Sequence, residues 1–283
     1  MPKNQLVRYY CTLSNKNYLL RGLALYSSLS QYAEPFKLWI LCMDDETYNI
    51  LAKLKLKNVY LIKLSEFEDK ELLAVKSTRT PGEYCWTCTP SLPLYVLKKF
   101  PKVDMVSYLD ADLCFYSSPE PIFDEMGEKS IMIIPHRFAD RRKLKEKMNG
   151  LYNVGMLSFR RDVEGQKCLN WWRERCLEWC FYKFEDGKIG DQKYLDQFPR
   201  LFKNVCILKN LGAGVGVWNI RQYRVWKKNN HVYINNAPLI FYHFADFEIY
   251  SYIPFLLPSP LTGYGEISTY RELIYNQYFQ TVY

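Results

Sequence analysis

The sequence predicts an α/β protein built on a doubly wound, largely parallel sheet flanked by helices. Three observations carry that expectation. Residues 7–13, 36–43 and 59–64 are short apolar runs rich in β-branched and aromatic side chains, the pattern of buried strands. Between the first two runs, Leu19, Leu23, Tyr26 and Leu29 recur at helical spacing, and strand–helix–strand succession favours a parallel sheet. A further run, 105–109, opens onto Asp110 and Asp112, and ligands of open α/β sheets bind beyond the carboxyl ends of strands.

The elements follow in order. A polar turn at 14–17 leads into a helix over 18–30, and Asp44-Asp45 closes the second strand, either capping the next helix or approaching a ligand. Residues 76–90 are rich in turn formers and precede a helix over 91–99; Trp86 there either stacks on a ligand or packs under that helix. After the paired aspartates come a punctuated loop, 117–123, and a strand over 130–136. Residues 138–149, with Arg141, Arg142, Lys143, Lys145 and Lys147, read as a solvated helix or as a basic flap over an anion. A strand over 153–159 contains Gly155, where backbone can approach a ligand closely. A long helix spans 162–182, Gly187 breaks the pattern, and Asp191 is placed to N-cap 192–198. Strands are expected at 204–208 and 215–220. The apolar run 237–244 delivers His243, which has the most site-like context of the three histidines.

Composition narrows the function classes. The 283 residues can bury a full core. A formal net charge of +8 implies an anionic partner. The basic residues are dispersed and no nucleic-acid-binding pattern appears, so nucleic acid is not expected. Nine cysteines, an odd number and several within apolar runs, read as reduced core cysteine; Cys85 and Cys88 lack a second pair that would complete a zinc set. No apolar run is long enough to span a bilayer and the first residues lack a signal-peptide core, so a cytoplasmic location is expected. The charge and the aromatic content of 17% also suit loose contact with an anionic membrane, at the cytoplasmic face of an inner membrane.

Asp110 and Asp112 carry the chemistry. In extended chain, positions i and i+2 face one way, so both carboxylates point to one side. Two like charges that close repel, and a divalent cation relieves the repulsion while leaving coordination sites for a diphosphate. A strand ending in a cap or turn is the plainer explanation of such aspartates. The absence of G-x-G-x-x-G argues against a dinucleotide site.

Tyr108-Leu-Asp-Ala-Asp112 resembles the Asp-x-Asp motif of GT-A glycosyltransferases, in particular the bacterial family 8-like enzymes, and the resemblance extends from about residue 7 to 245. It implies a GT-A fold with a Rossmann-like mixed sheet. It also implies Mn²⁺, or Mg²⁺, held by Asp110, Asp112 and His243, with Asp110 also facing the ribose of a nucleotide-sugar, UDP-hexose by default. A mixed oxygen and imidazole shell suits Mn²⁺. Asn153-Val-Gly155 resembles the segment beside the transferred sugar. Asp191-Gln192 resembles the element whose acid bonds sugar hydroxyls and whose glutamine lies near the anomeric carbon. Thr12 and Asn17 occupy the region that holds the base and ribose, and Arg79 is the candidate basic residue entering the donor site. The implied activity is hexosyl transfer, with retention, to a glycan or lipid-linked acceptor of the lipopolysaccharide or capsule type.

One departure matters. Members of that family commonly follow the histidine with Gly and then Lys-Pro-Trp, which touch the diphosphate, whereas here Ala245-Asp-Phe-Glu follows. Lys209, Arg221 or the basic segment after Phe138 are the candidate replacements. The expected organisation is a catalytic domain over 1–249 and an aromatic-rich extension over 250–283. Three other readings stay open: a sugar nucleotidyltransferase, a phosphohydrolase with an Asp-x-Asp nucleophile, which Leu113-Cys-Phe after the second aspartate disfavours, and a non-catalytic binder of sugar nucleotides or glycans. The first is disfavoured because Ser14-Asn-Lys-Asn17 is not a glycine-rich loop.

Overall fold

A computed structural model describes residues 6–139, 143–245, 247–248, 257–258 and 270–282. Eight strands account for the two parts of the molecule that build the main sheet and its exit. They are β1 (Arg8–Ser14), β2 (Phe36–Cys42), β3 (Val59–Lys63), β4 (Met105–Leu109), β5 (Leu113–Phe115), β6 (Ile131–Pro135), β7 (Tyr152–Arg160) and β8 (Val205–Ile207). All but β5 form one seven-stranded sheet in the order β3-β2-β1-β4-β7-β6-β8. The strands β3, β2, β1 and β4 are mutually parallel, while β7 lies antiparallel between β4 and β6. The sheet is mixed, and its parallel half is the stretch that the strand–helix–strand pattern announces.

Alternation along the strands divides the core between two faces. On one, Cys11, Trp39, Val106 and Leu157 pack with helices α5 (Pro81–Cys88), α6 (Ser91–Lys99) and α9 (Val163–Glu178), and Trp172 of α9 is fully buried. On the other, Tyr10, Leu38, Leu109 and Met156 meet Leu25 and Leu29 of α1 (Leu19–Tyr32). Fully burying one such side chain contributes roughly 1.5–3 kcal/mol.

Residues 81–88, expected as loop, form α5. The turn formers there are a helix start: Thr80 caps Glu83 N–H, Glu83 reaches back to the Thr80 amide, and Pro81 occupies the first turn. Asp44 caps α2 (Asp45–Leu54) through the Thr47 amide at 2.7 Å and also accepts from the Lys16 amide at 2.9 Å. The expected strand 215–220 is shortened to β9 (Val215–Gly216), because Asn219 turns the chain by accepting from Gly216 N–H and donating to the Gly214 and His136 carbonyls. A hairpin-like trio, β10 (Val225–Lys228), β11 (His231–Ile234) and β12 (Ala237–Pro238), precedes β13 (Phe241–His243), which pairs with β5 and β9.

Ile274, Tyr275 and Tyr278, near the carboxyl terminus, are buried against α1 and β13; Tyr278 stacks on Phe244 with centroids 3.7 Å apart, and Tyr116 donates to the Ile274 carbonyl at 2.7 Å. The expected domain boundary at 249/250, and most of the extension that follows it, lie outside the described residues.

Candidate metal centre and active-site cleft

The site is assembled from four remote segments. The chain leaves β4 at Leu109 and turns before β5, so Asp110 and Asp112 do not lie on a continuous strand as expected. They still converge, because both ends of the turn are pinned. Asp110 N–H donates to the Gly155 carbonyl of β7 at 2.8 Å, and Phe244 N–H donates to the Asp112 carbonyl at 2.9 Å. The second bond places His243, the last residue of β13, over the turn. Its Nε2 lies 3.0 Å from Asp112 Oδ1 and 3.6 Å from Asp110 Oδ2. The three candidate ligand atoms fall within 4.8 Å of one another.

Hydrogen bonding fixes the histidine's orientation. The Asn153 side-chain oxygen lies 2.9 Å from the Gly155 amide and 3.2 Å from His243 Nδ1, so it accepts from both. With Nδ1 donating to Asn153, His243 Nε2 faces the aspartates and hydrogen-bonds to Asp112, and a bound cation would take the place of the Nε2 proton in the manner of a metal-binding imidazole oriented by a neighbour. The Asn153 amide group donates to Gln192 Oε1 at 3.2 Å and lies 3.3 Å from His136 Nε2. His136 in turn donates from Nδ1 to the Gly150 carbonyl at 3.0 Å. Burial pushes the His136 imidazole down to about 3, with the Gly150 bond opposing it, so this ring stays neutral and can accept from Asn153.

Gly155 makes room for this packing. A Cβ there would stand 2.5 Å from Asn153 Oδ1 and 2.7 Å from His243 Nδ1. The edge of Trp218 closes the other side of the ring, 5.3 Å between centroids, and its indole N–H donates to the His136 carbonyl at 2.9 Å.

The electrostatics call for a cation. Burial pushes the Asp110 carboxyl up to about 6, and Asp112 adds to that while His243 and the Tyr108 hydroxyl, 2.9 Å from Oδ1, oppose it. Burial also disfavours the Asp112 charge, but His243 and the charge of Arg21 outweigh it and lower that carboxyl. Burial, then the nearby Asp110 charge, pushes Asp191 up to about 7. Two oxygen donors and an outward-facing imidazole nitrogen, ringed by carboxylates that resist joint ionisation, fit a divalent cation.

Two clefts are each lined in part by α5. The first, about 470 Å³, is lined by Asp110, Asp191, Gln192, Trp86, Tyr182 and Met148 among others. Gln192 is fixed by donating to the Asn149 carbonyl at 2.9 Å. Asp191 lines the cleft but does not cap the 3₁₀ helix Gln192–Gln197, as the sequence led us to expect; its backbone is already helical and its side chain makes no capping bond. Its carbonyl instead accepts from Trp172 Nε1 at 2.9 Å, which anchors it to the core. The second cleft, about 420 Å³, includes Asn17, Asp44, Arg79 and Cys85. The Arg79 guanidinium sits over the Phe181 ring, 3.9 Å from its centroid, and donates to the Leu177 carbonyl at 3.2 Å. Thr12 is buried within β1 and lines neither cleft. Nor do Lys209 and Arg221, both exposed. Of the basic segment, Lys143–Asn149 is a helix, α8, whereas Arg141 and Arg142 lie outside the described residues.

Sequence reasoning singled out Asp110, Asp112, His243, Asn153, Asp191 and Gln192, and the structure places them in one neighbourhood. It missed His136, Trp218 and Arg21. His136 ends an expected strand, and that position was its only signal; the other two carry none that spacing could reveal.

No protein-family model matches the chain. It is 40% identical over 249 residues to the uncharacterized protein YfnF of Bacillus subtilis (strain 168), covering 86% of the chain and 82% of YfnF. It is 33% identical over 243 residues to the uncharacterized protein YfnD of the same organism, covering 85% of the chain and 78% of YfnD. Among solved structures, the galactosyltransferase LgtC in complex with donor and acceptor sugar analogues matches with a TM-score of 0.55 and 13% identity, over 94% of the chain and all of LgtC (100%). The apo form of the glycosyltransferase GlyE of Streptococcus pneumoniae TIGR4 matches with a TM-score of 0.51 and 14% identity, over 97% of the chain and 62% of GlyE. At such identities the likeness is one of fold. The chain belongs to the family of YfnF and YfnD, and its fold is that of the GT-A glycosyltransferases.

Proposed function

We propose that the protein is a metal-dependent glycosyltransferase that moves a hexose from a UDP-sugar to a saccharide or lipid-linked glycan, with retention of anomeric configuration. The observation that carries this reading is the convergence of Asp110, Asp112 and His243 Nε2 at the carboxyl ends of β4 and β13. Bound Mn²⁺, or Mg²⁺, would supply Lewis-acid stabilisation of the charge that develops on the leaving diphosphate. The chain's own residues do the rest. Asn153 keeps the His243 proton on Nδ1. Asn17 and Arg79 line the cleft that would take the nucleotide, whereas Thr12, buried in β1, would act only through the strand that carries it. Asp191 and Gln192 face the neighbouring cleft, where the acid would bond sugar hydroxyls and the amide would lie near the anomeric carbon.

Arg21, whose charge helps lower the Asp112 carboxyl, joins Lys209 and Arg221 as a candidate for the diphosphate contact that Lys-Pro-Trp makes in the resembled family. No helix among the described residues is long and apolar enough to cross a membrane. A place at the cytoplasmic face of the inner membrane, in lipopolysaccharide or capsule assembly, is the setting this reading favours.

The test is incubation with Mn²⁺ and a panel of nucleotide-sugars, with and without saccharide acceptors, reading released nucleoside diphosphate. Release that needs the cation and is lost in Asp112→Asn supports the reading. No release from any donor, together with UDP binding that is equally tight in EDTA, would leave a binding protein instead.

A further inference from the structure

The rim of the larger cleft is apolar where a globular protein is ordinarily polar. Leu144 is 83% exposed, Met148 50% and Leu151 48%. Leu144 and Met148, four residues apart, share one face of α8, and Leu151 follows just after Gly150 ends the helix. Tyr182 at 78% and Phe184 at 44% stand on the same rim, and with Met148 they line the cleft that holds Asp110 and Asp191. The helix that carries this face also bears Lys145 and Lys147, with Glu146 its one acid. Its exit is anchored to the site by the bond from Gln192 to Asn149 and by the Leu151 amide, which donates to Asp196 Oδ1 at 2.7 Å. A clustered apolar face beside basic side chains, on a chain with a net charge of +8, is complementary to an anionic bilayer surface.

We infer that this rim docks the protein on an anionic membrane, with Leu144, Met148, Tyr182 and Phe184 entering the headgroup layer and Lys145 and Lys147 meeting lipid phosphates. The mouth of the cleft then opens onto the bilayer, so an acceptor attached to a lipid enters without leaving the membrane. The inference deepens the transferase reading by assigning the source of the acceptor, but docking itself needs no turnover.

The experiment is co-sedimentation of the full chain with vesicles of phosphatidylethanolamine and phosphatidylglycerol, against vesicles of phosphatidylcholine alone. Wild type partitions to the anionic vesicles. Leu144→Asp lowers that partitioning about tenfold or more, and Lys145→Glu with Lys147→Glu lowers it by a similar factor. Lys53→Glu with Lys55→Glu, the same charge change at the far end of α2, lowers it by no more than about threefold. Equal loss in that control, unchanged binding in the rim variants or equal binding to phosphatidylcholine overturns the inference. So does a concentration-dependent dimer that Leu144→Asp dissolves, since the face would then belong to a second copy. Asp112→Asn separates the two readings: it abolishes transfer and keeps vesicle binding.

Discussion

Asp191 gives the sharpest physical test of the site because its burial works against its charge. The side chain is 5% exposed, and its carboxyl is pushed up to about 7 from an ordinary value near 3.8. Between those two values the unfolded chain has released the proton while the folded chain keeps it. The folded state binds more protons there, so stability falls as pH rises through the window, and the full loss is present above about pH 7. A shift of about three units corresponds to roughly 4 kcal/mol at ~1.4 kcal/mol per unit. Asp110, raised to about 6 by burial, adds a loss of the same sign.

Asp191→Asn removes the ionisation, keeps the side chain's shape and leaves the backbone carbonyl bond to Trp172 intact. In urea titrations with EDTA, followed by tryptophan fluorescence, the metal-free wild type should lose stability steadily from about pH 4 to pH 7. The variant should lose several kcal/mol less over the same range and be the more stable protein at the upper end. An unchanged pH dependence in the variant, or a variant less stable at pH 8, would refute the assignment of Asp191 as a buried carboxyl held near its own proton. Saturating Mn²⁺ should raise wild-type stability most at the alkaline end, where the site carboxylates are charged and the cation meets least competition from protons.

Three further outcomes follow from the same geometry. Gly155→Ala places a methyl against Asn153 and His243, so calorimetry should show Mn²⁺ affinity reduced about 10–100-fold, comparable to losing an orienting neighbour; unchanged affinity would mean that the His243 pose is not required. His243→Ala removes both a candidate ligand and the partner that lowers Asp112, so Mn²⁺-dependent UDP binding should collapse, and the metal-free protein should lose about 1–3 kcal/mol by denaturant titration at neutral pH. Glu83→Ala breaks the capping box that starts α5 and should cost about 1 kcal/mol of stability, with little effect on metal affinity measured by calorimetry.

Much of the fold was legible because the strands are short apolar runs and α1 has a clean helical period. The errors share one cause. Thr80-Pro-Gly-Glu83 is a run of turn formers, and its meaning as a helix start depends on the pairing of Thr80 with Glu83. Asp191 has the side chain of a cap, but burial beside the core decided its conformation instead. Asn219 ended a strand early by bonding the nearby Gly214 and Gly216 backbone together with the remote His136 carbonyl, and no local pattern encodes that last contact. At the site, Asp110, Asp112 and His243 were legible through a short motif and a strand end. The relay behind them was not. It runs from Gly150 through His136 and Asn153 to His243, and each link is a contact between remote segments.

The antiparallel placement of β7 is what makes that relay possible. Were β7 parallel to β4, its beginning would lie at the opposite end of the sheet from Asp110, and Asn153 could not reach the imidazole. Running antiparallel, β7 begins where β4 ends. Met156 stands opposite Leu109, the Gly155 carbonyl receives the Asp110 amide, and Asn153 arrives two residues earlier beside His243. β13 reaches the same place by pairing with β5, which sets His243 opposite Leu113, directly after the second aspartate. Each candidate ligand thus sits within a residue of a backbone ladder, and Gly155 lets the histidine ring close over the junction. The mixed sheet and the small β5-β13-β9 sheet therefore hold the three candidate ligand atoms close together before any cation arrives, at the cost of packing carboxylates that repel one another. That repulsion is the strain a divalent ion would relieve on binding.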